Sequence, residues 1–155
     1  GDARLAERMA RRLLRNRLTP DVYTYNMLLN TLAHSADSDA GSVAEFWVDH
    51  MQRQARWRHN DFPLDQIAVS YSEVLLAHVN AGDLPKAEAW LEQMLGEGIE
   101  PQARCYTALV KKYVEMGELD QADKWLGRMT SWSNHAPPQN LLDSVEPKRL
   151  AAVSA

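Results

Sequence analysis

A single cysteine, Cys105, is all the sequence contains. That excludes an internal disulfide and any zinc site built on several thiolates, and it fits a reducing compartment. Long apolar runs are missing as well: none approaches the ~18 residues that a membrane-crossing helix needs. There is no initiator methionine, no apolar signal core and no removable presequence. Gly1 opens directly into helix-like sequence, which reads as a processed or partial chain. Positive charge is also in short supply, with 17 basic residues against 21 acidic ones. A dedicated nucleic-acid binder usually tips the other way. The charge is uneven: residues 1 to 17 carry six arginines against Asp2 and Glu7, and the rest of the chain is acidic.

Recognisable catalytic constellations are absent too. Neither a phosphate loop nor a nucleophile elbow occurs. His34, His50, His59, His78 and His135 lack metal-ligand spacing with one another or with Cys105. The segment from Asp37 to Gly41 resembles a calcium loop, but its glycine comes one place early and no acidic residue closes it. His78 falls on an apolar helix face, as a packed residue with one hydrogen bond would. No enzyme activity, cofactor, metal or small-molecule substrate is implied.

What is present is repetition. Tyr71, Gly82, Leu84, Ala87, Trp90 and Met94 recur 35 residues on as Tyr106, Gly117, Leu119, Ala122, Trp125 and Met129. A fixed period that holds aromatic, small and turn residues in phase marks a stacked repeat protein. Hydrophobic residues at 45% and charged residues at 25% give a globular balance. Each helix pair carries more Trp, Tyr, Leu and Met than one hairpin can bury, so its neighbours must cover the remainder. Trp47, Trp90 and Trp125 therefore read as core residues in equivalent places, each contributing several kcal/mol at ~25 cal/mol/Å².

In chain order, residues 1–21 read as the second helix of an incomplete repeat, with Ala6, Met9, Ala10 and Leu13 on its apolar face. Arg4, Arg8, Arg11, Arg12 and Arg15 form a basic stripe away from that face, either solvated or touching an anionic partner. Residues 22–67 form a repeat with an insertion. Its first helix carries Tyr25, Leu28, Leu29, Leu32 and Ala33, and Gly41 marks the turn after it. The signature returns from Ala44 to Met51, and the extra residues are expected in a loop over Arg56–Leu64 that ends at Pro63. Arg56, Trp57 and Arg58 in that loop are candidate partner-binding residues, because an exposed Trp amid arginines suits an interface anchor. Residues 68–102 form the cleanest repeat, where Gly82 and Gly98 end its helices and Pro85 suits the first turn of the second. Residues 103–137 form the last repeat. In the 138–155 tail, Leu141, Leu142, Val145 and Leu150 have the spacing of a short capping helix interrupted by Pro147.

The run from Tyr71 through Gly82, Ala87 and Met94 to Gly98-Ile99-Glu100-Pro101-Gln102 resembles a pentatricopeptide repeat of the plain 35-residue kind. Pro20-Asp21-Val22-Tyr23-Thr24-Tyr25-Asn26 is similar to that family's junction between repeats. The resemblance covers roughly residues 4 to 129. It implies an all-α, right-handed solenoid of antiparallel helix pairs, about seven helices in all. It also implies single-stranded RNA binding in mitochondria or plastids, about one base per repeat, on the surface lined by first helices. By position, Asn26, Ser72 and Thr107 would face bases, with Asp21 and Gln102 completing the reading. Tyr23, Val69 and Arg104 would sandwich neighbouring bases, and Lys111 and Lys112 would lie near phosphates. Only Val69 is the usual aliphatic residue in that sandwiching role. The alternative is a structural subunit that uses the same scaffold to hold proteins together in an organellar ribosome or a respiratory or photosynthetic complex.

Overall fold

A computed structural model describes residues 3–18, 20–35, 37–58, 64–132, 137–139, 141–143 and 145. Among these the chain is all-α, with seven helices: α1 (Ala3–Arg15), α2 (Val22–Ala33), α3 (Ala40–Arg58), α4 (Leu64–Ala81), α5 (Leu84–Gly96), α6 (Ala103–Met116) and α7 (Leu119–Trp132). They fall into two compact units, Gly1–Ile99 and Glu100–Ala155. Two-residue turns such as Gly82-Asp83 and Gly117-Glu118 force the chain to reverse, so the paired helices run antiparallel.

In the first unit α1 packs on α2, α2 on α3 and α4, and α4 on both α3 and α5. One continuous core results. Tyr25, Leu29, Leu32 and Ala33 of α2 meet Ala44, Trp47, Val48 and Met51 of α3 and Tyr71, Val74 and Ala77 of α4. In this unit α2 and α4 are thus each buried by helices of more than one repeat, which is the stacking that the apolar excess demands.

Local chemistry sets the helix ends. Asp21 caps α2, its Oδ1 accepting from the Thr24 N–H at 2.8 Å, and Asp83 caps α5 with Pro85 in the first turn. At the other ends one hydrogen-bond pattern recurs. The Asp83 N–H reaches the His78 carbonyl at 2.9 Å, Ile99 reaches Met94 at 2.8 Å, Glu118 reaches Tyr113 at 3.0 Å, and Leu18 reaches Leu13 at 3.0 Å. Such a close needs a left-handed residue just before the donor. Gly82, Gly98 and Gly117 supply it with φ of 82°, 71° and 82°. At the end of α1 it is Arg17, with φ of 58°.

The interrupted repeat differs from its sequence reading. Of the span expected as a loop, Arg56–Arg58 belong to α3 and Leu64 opens α4, giving helices of 19 and 18 residues where the others have 12 to 14. The physical reason is that Met51 to Arg58 holds neither glycine nor proline, and Arg53 pairs with Asp49 one turn back, at 3.1 Å through Nε. The repeat boundary drawn at 67/68 therefore falls inside a helix. Residues 59–63 lie outside the described residues. Gly41 lies in the first turn of α3 and not in the preceding turn.

The tryptophans are not equivalent either. Trp47 and Trp125 are wholly buried, whereas Trp90 is half-buried at the edge of the core. There its ring meets Tyr71 edge-on at 5.2 Å, and its Nε1 donates to Glu45 Oε1 at 2.9 Å. Met9, on the expected inward face of α1, is 57% exposed.

In the second unit α6 packs on α7. Cys105, Tyr106, Leu109, Val110, Tyr113 and Val114 are buried on α6, with Ala122, Trp125 and Met129 on α7. Lys124 and Arg128 set their cations over the Trp125 ring at 5.1 and 4.9 Å from its centre. Leu141 and Val145 are buried, while Pro147 and Leu150 lie outside the described residues.

Candidate nucleic-acid interface

The residues expected to touch RNA lie on or just before α2, α4 and α6. On α2, Tyr23 is 72% exposed and presents its ring to solvent. Asn26, one turn on, is half-buried and already engaged. Its Nδ2 donates to Gln66 Oε1 at 2.9 Å, and its Oδ1 accepts from the Ser70 hydroxyl at 2.7 Å. Both partners belong to α4, and Gln66 is there because α4 starts one turn earlier than the repeat pattern indicates. Asp21 is exposed. Its carboxyl is held below the usual range, first by the Thr24 hydroxyl at 2.6 Å and then by the Thr24 N–H, so its shown role is to cap α2.

On α4, Val69 is half-buried. Ser72 is fully buried, and its hydroxyl donates to the Ala68 carbonyl of its own helix at 2.7 Å. That side chain is closed to a base, contrary to the base-facing expectation: its face of α4 is packed, and a short hydroxyl on a buried face bonds back to the i−4 carbonyl.

On the second unit, Gln102 and Arg104 are exposed neighbours, with the Arg104 Nε donating to Gln102 Oε1 at 2.7 Å. Thr107 is half-buried and bonds back to the Ala103 carbonyl at 2.9 Å. Lys111 is exposed, while the Lys112 ammonium lies 3.4 Å from the Glu115 carboxylate. Arg56, Trp57 and Arg58 occupy the last turn of α3; their side chains lie outside the described residues.

Sequence reasoning missed a polar network where α3, α4 and α5 meet. Glu45 Oε1 accepts from both His78 Nε2, at 2.7 Å, and Trp90 Nε1. His78 is 2% exposed and makes this one bond, as its place on an apolar face indicates. Nearby, the Tyr71 hydroxyl donates to Glu97 Oε2 at 2.7 Å and accepts from Gln52. Burial, with Glu97 adding to it, pushes that phenol up to about 12. The Tyr25 hydroxyl similarly meets His50 Nδ1 at 2.8 Å, and burial holds the His50 imidazole below its ordinary pKa. A usable signal did exist for Gln66 and Ser70. Leu64 and Ile67 continue the spacing of Tyr71, Val74 and Leu75 backwards, so the longer α4 was written in the pattern.

Among the described residues, no three His, Cys, Asp or Glu side chains gather as a metal site, and no helix is long and apolar enough to cross a membrane. The family profile described as "Pentatricopeptide repeat domain" matches residues 1–34 and 61–116, and the profile described as "PPR repeat" matches residues 104–133. The gap between the matched segments, 35–60, covers α3. Comparison with curated proteins gives no matching relative.

Proposed function

Because the chain belongs to the pentatricopeptide repeat family, we propose that it binds single-stranded RNA in a mitochondrion or plastid and serves RNA processing, stability or translation. The observation that carries this reading is the exposure, on or beside first helices, of groups that suit unpaired RNA. Tyr23 offers an open ring and Arg104 a planar cation, both able to stack on bases, and Lys111 offers a charge for phosphate. Asn26 retains capacity for a base edge, since each end of an amide accommodates a second hydrogen bond. Ser72 does not contribute, which leaves the exposed Gln102 as the one base-reading candidate of its repeat.

A second reading is favoured by a specific observation. The burial of Ser72, the tethering of Asn26 and the net acidity of the chain suit a scaffold that holds protein subunits of an organellar assembly. A randomised RNA pool titrated at low and moderate salt separates the two. On the RNA reading, replacing Lys111 and Lys112 with Ala weakens binding to all sequences and flattens the salt dependence by ~0.7 per lost phosphate contact. Thr107→Asn changes the preferred base at one site and leaves overall affinity nearly unchanged. Absence of binding even at low salt transfers the function to the scaffold. In that case Arg56, Trp57 and Arg58 become the first candidates for its protein contact.

A further inference from the structure

The five arginines of α1 fall into two groups. Arg11 bonds to Glu7 at 2.6 Å and lies 5.4 Å from the centre of the Phe46 ring, and Arg4 lies 3.6 Å from Asp37. Arg8, Arg12 and Arg15 are exposed and, among the described residues, pair with no carboxylate. They stand at i, i+4 and i+7, on the side of α1 opposite the core residues Ala3, Ala6, Ala10 and Leu14. No acidic residue occurs between Glu7 and Asp21 to offset them.

This exposure belongs to the register position and not to the place of α1 in the chain. The same positions hold Phe46, His50 and Arg53 on α3, and Ala89, Gln93 and Gly96 on α5. All of these but the half-buried His50 are exposed. That holds for α3 although it packs on α2 and α4 and meets Arg11 of α1 through Phe46. The row therefore faces outward on each of the three helices, and only on α1 is it basic throughout.

Size and surroundings select the occupant. The row spans about 10 Å at ~1.5 Å per residue. A helix with Glu or Asp at i, i+4 and i+7 has the same rise. Lying antiparallel to α1, it can offer one carboxylate to each guanidinium, in the planar two-bond pairing that arginine favours. A long polyanion suits the surface less. Beyond the row Arg53 is held by Asp49, and α5 carries Glu88 and Glu92 against Lys86. The Phe46 ring has the Arg11 guanidinium over its face, so it offers bases no open stacking platform. At 45% exposure it still gives apolar contact beside the row. We propose that Arg8, Arg12 and Arg15 dock an acidic helix of a partner protein, with a row of Glu or Asp side chains against the three guanidinium groups. This inference does not depend on RNA binding, and it uses neither Lys111 and Lys112 nor the Arg56–Arg58 turn.

The test uses two labelled, covalently stapled helical peptides of identical composition as probes. One carries Glu at i, i+4 and i+7 on a single face, and the other spreads the same residues round the helix. Fluorescence anisotropy at low salt should show saturable binding of the first and at least ~10-fold weaker binding of the second. Arg8→Gln with Arg12→Gln and Arg15→Gln should weaken the first by ~10-fold or more. All three side chains are exposed, so circular dichroism and Tm should stay unchanged. Lys111→Ala with Lys112→Ala, the variant that tests the RNA reading, should leave peptide affinity within ~2-fold. Equal binding of the two peptides, or affinity indifferent to the arginine variant, overturns the proposal. So does a double-stranded RNA hairpin that binds more tightly than the peptide and is lost in the same variant, because the row then belongs to a nucleic acid. Self-association that the arginine variant abolishes also overturns it, since the row then meets a second copy.

Discussion

Gly41 lies so close to the His78 ring that a Cβ on Gly41 would overlap Nδ1 and Cε1. A glycine within a helix normally costs ~1 kcal/mol relative to alanine. Here it lets α3 approach α4 closely enough for His78 to be buried while holding Glu45. Gly41→Ala is therefore expected to lower stability by ~1–3 kcal/mol, against the usual helix trend. Urea unfolding measures this, and the double variant with His78→Ala should recover part of the loss. A more stable Gly41→Ala single variant would falsify the close approach.

The tryptophans divide by place in the core. Trp47→Ala removes a wholly buried ring and should cost ~3–5 kcal/mol. Trp90→Phe keeps an aromatic beside Tyr71 but drops the bond to Glu45, for a loss of ~1 kcal/mol. Thermal unfolding of the two variants should differ accordingly. Equal losses would mean that Trp90 is as deeply packed as Trp47.

Tyr71 makes a prediction about alkaline stability. Its phenol would ionise near 10.0 in the unfolded chain and at about 12 in the fold. Its contribution is thus complete below pH 10 and is lost as pH rises through that interval. Tyr71→Phe should be less stable at neutral pH by ~1–2 kcal/mol, because Glu97 and Gln52 lose their partner. The gap to the parent should narrow between pH 10 and 12. A constant gap across denaturant titrations in that range would remove Tyr71 as the responsible group.

Arg17 occupies the left-handed position that glycine fills at the three comparable helix ends. A side chain there costs roughly 1–2 kcal/mol, and glycine loses part of that advantage through its freer unfolded chain. Arg17→Gly should therefore stabilise the protein by ~0.5–1 kcal/mol, seen as a higher urea midpoint with unchanged slope. Destabilisation would show that the Arg17 side chain makes a contact worth more than its backbone strain.

The helices, their number and most of their ends were legible because they depend on neighbours in sequence. Apolar spacing of three and four placed α2, α5, α6 and α7, and Gly82, Gly98 and Gly117 marked turns through backbone conformation alone. The extended α3 and α4 are harder to read, because the charge of Arg56–Arg58 and Pro63 signal a loop while the absence of any breaker up to Arg58 signals a continuing helix. At Gly41 the sequence is ambiguous, because glycine signals a turn and a close helix approach with the same letter, and only the position of His78 separates the two.

The sequence by itself determined that the chain repeats a helix pair at a 35-residue period and belongs to a known repeat family. It could not determine which polar side chains stay open to a ligand. Asn26, Ser72 and Thr107 share one register position. Yet Gln66 and Ser70 tie down the first, burial closes the second, and the third stays half-exposed. Helical periodicity assigns a residue to a face. Whether a neighbouring helix covers that face depends on contacts between residues 40 or more positions apart in sequence, such as Asn26 with Gln66 and Ser70, and only the tertiary structure decides those.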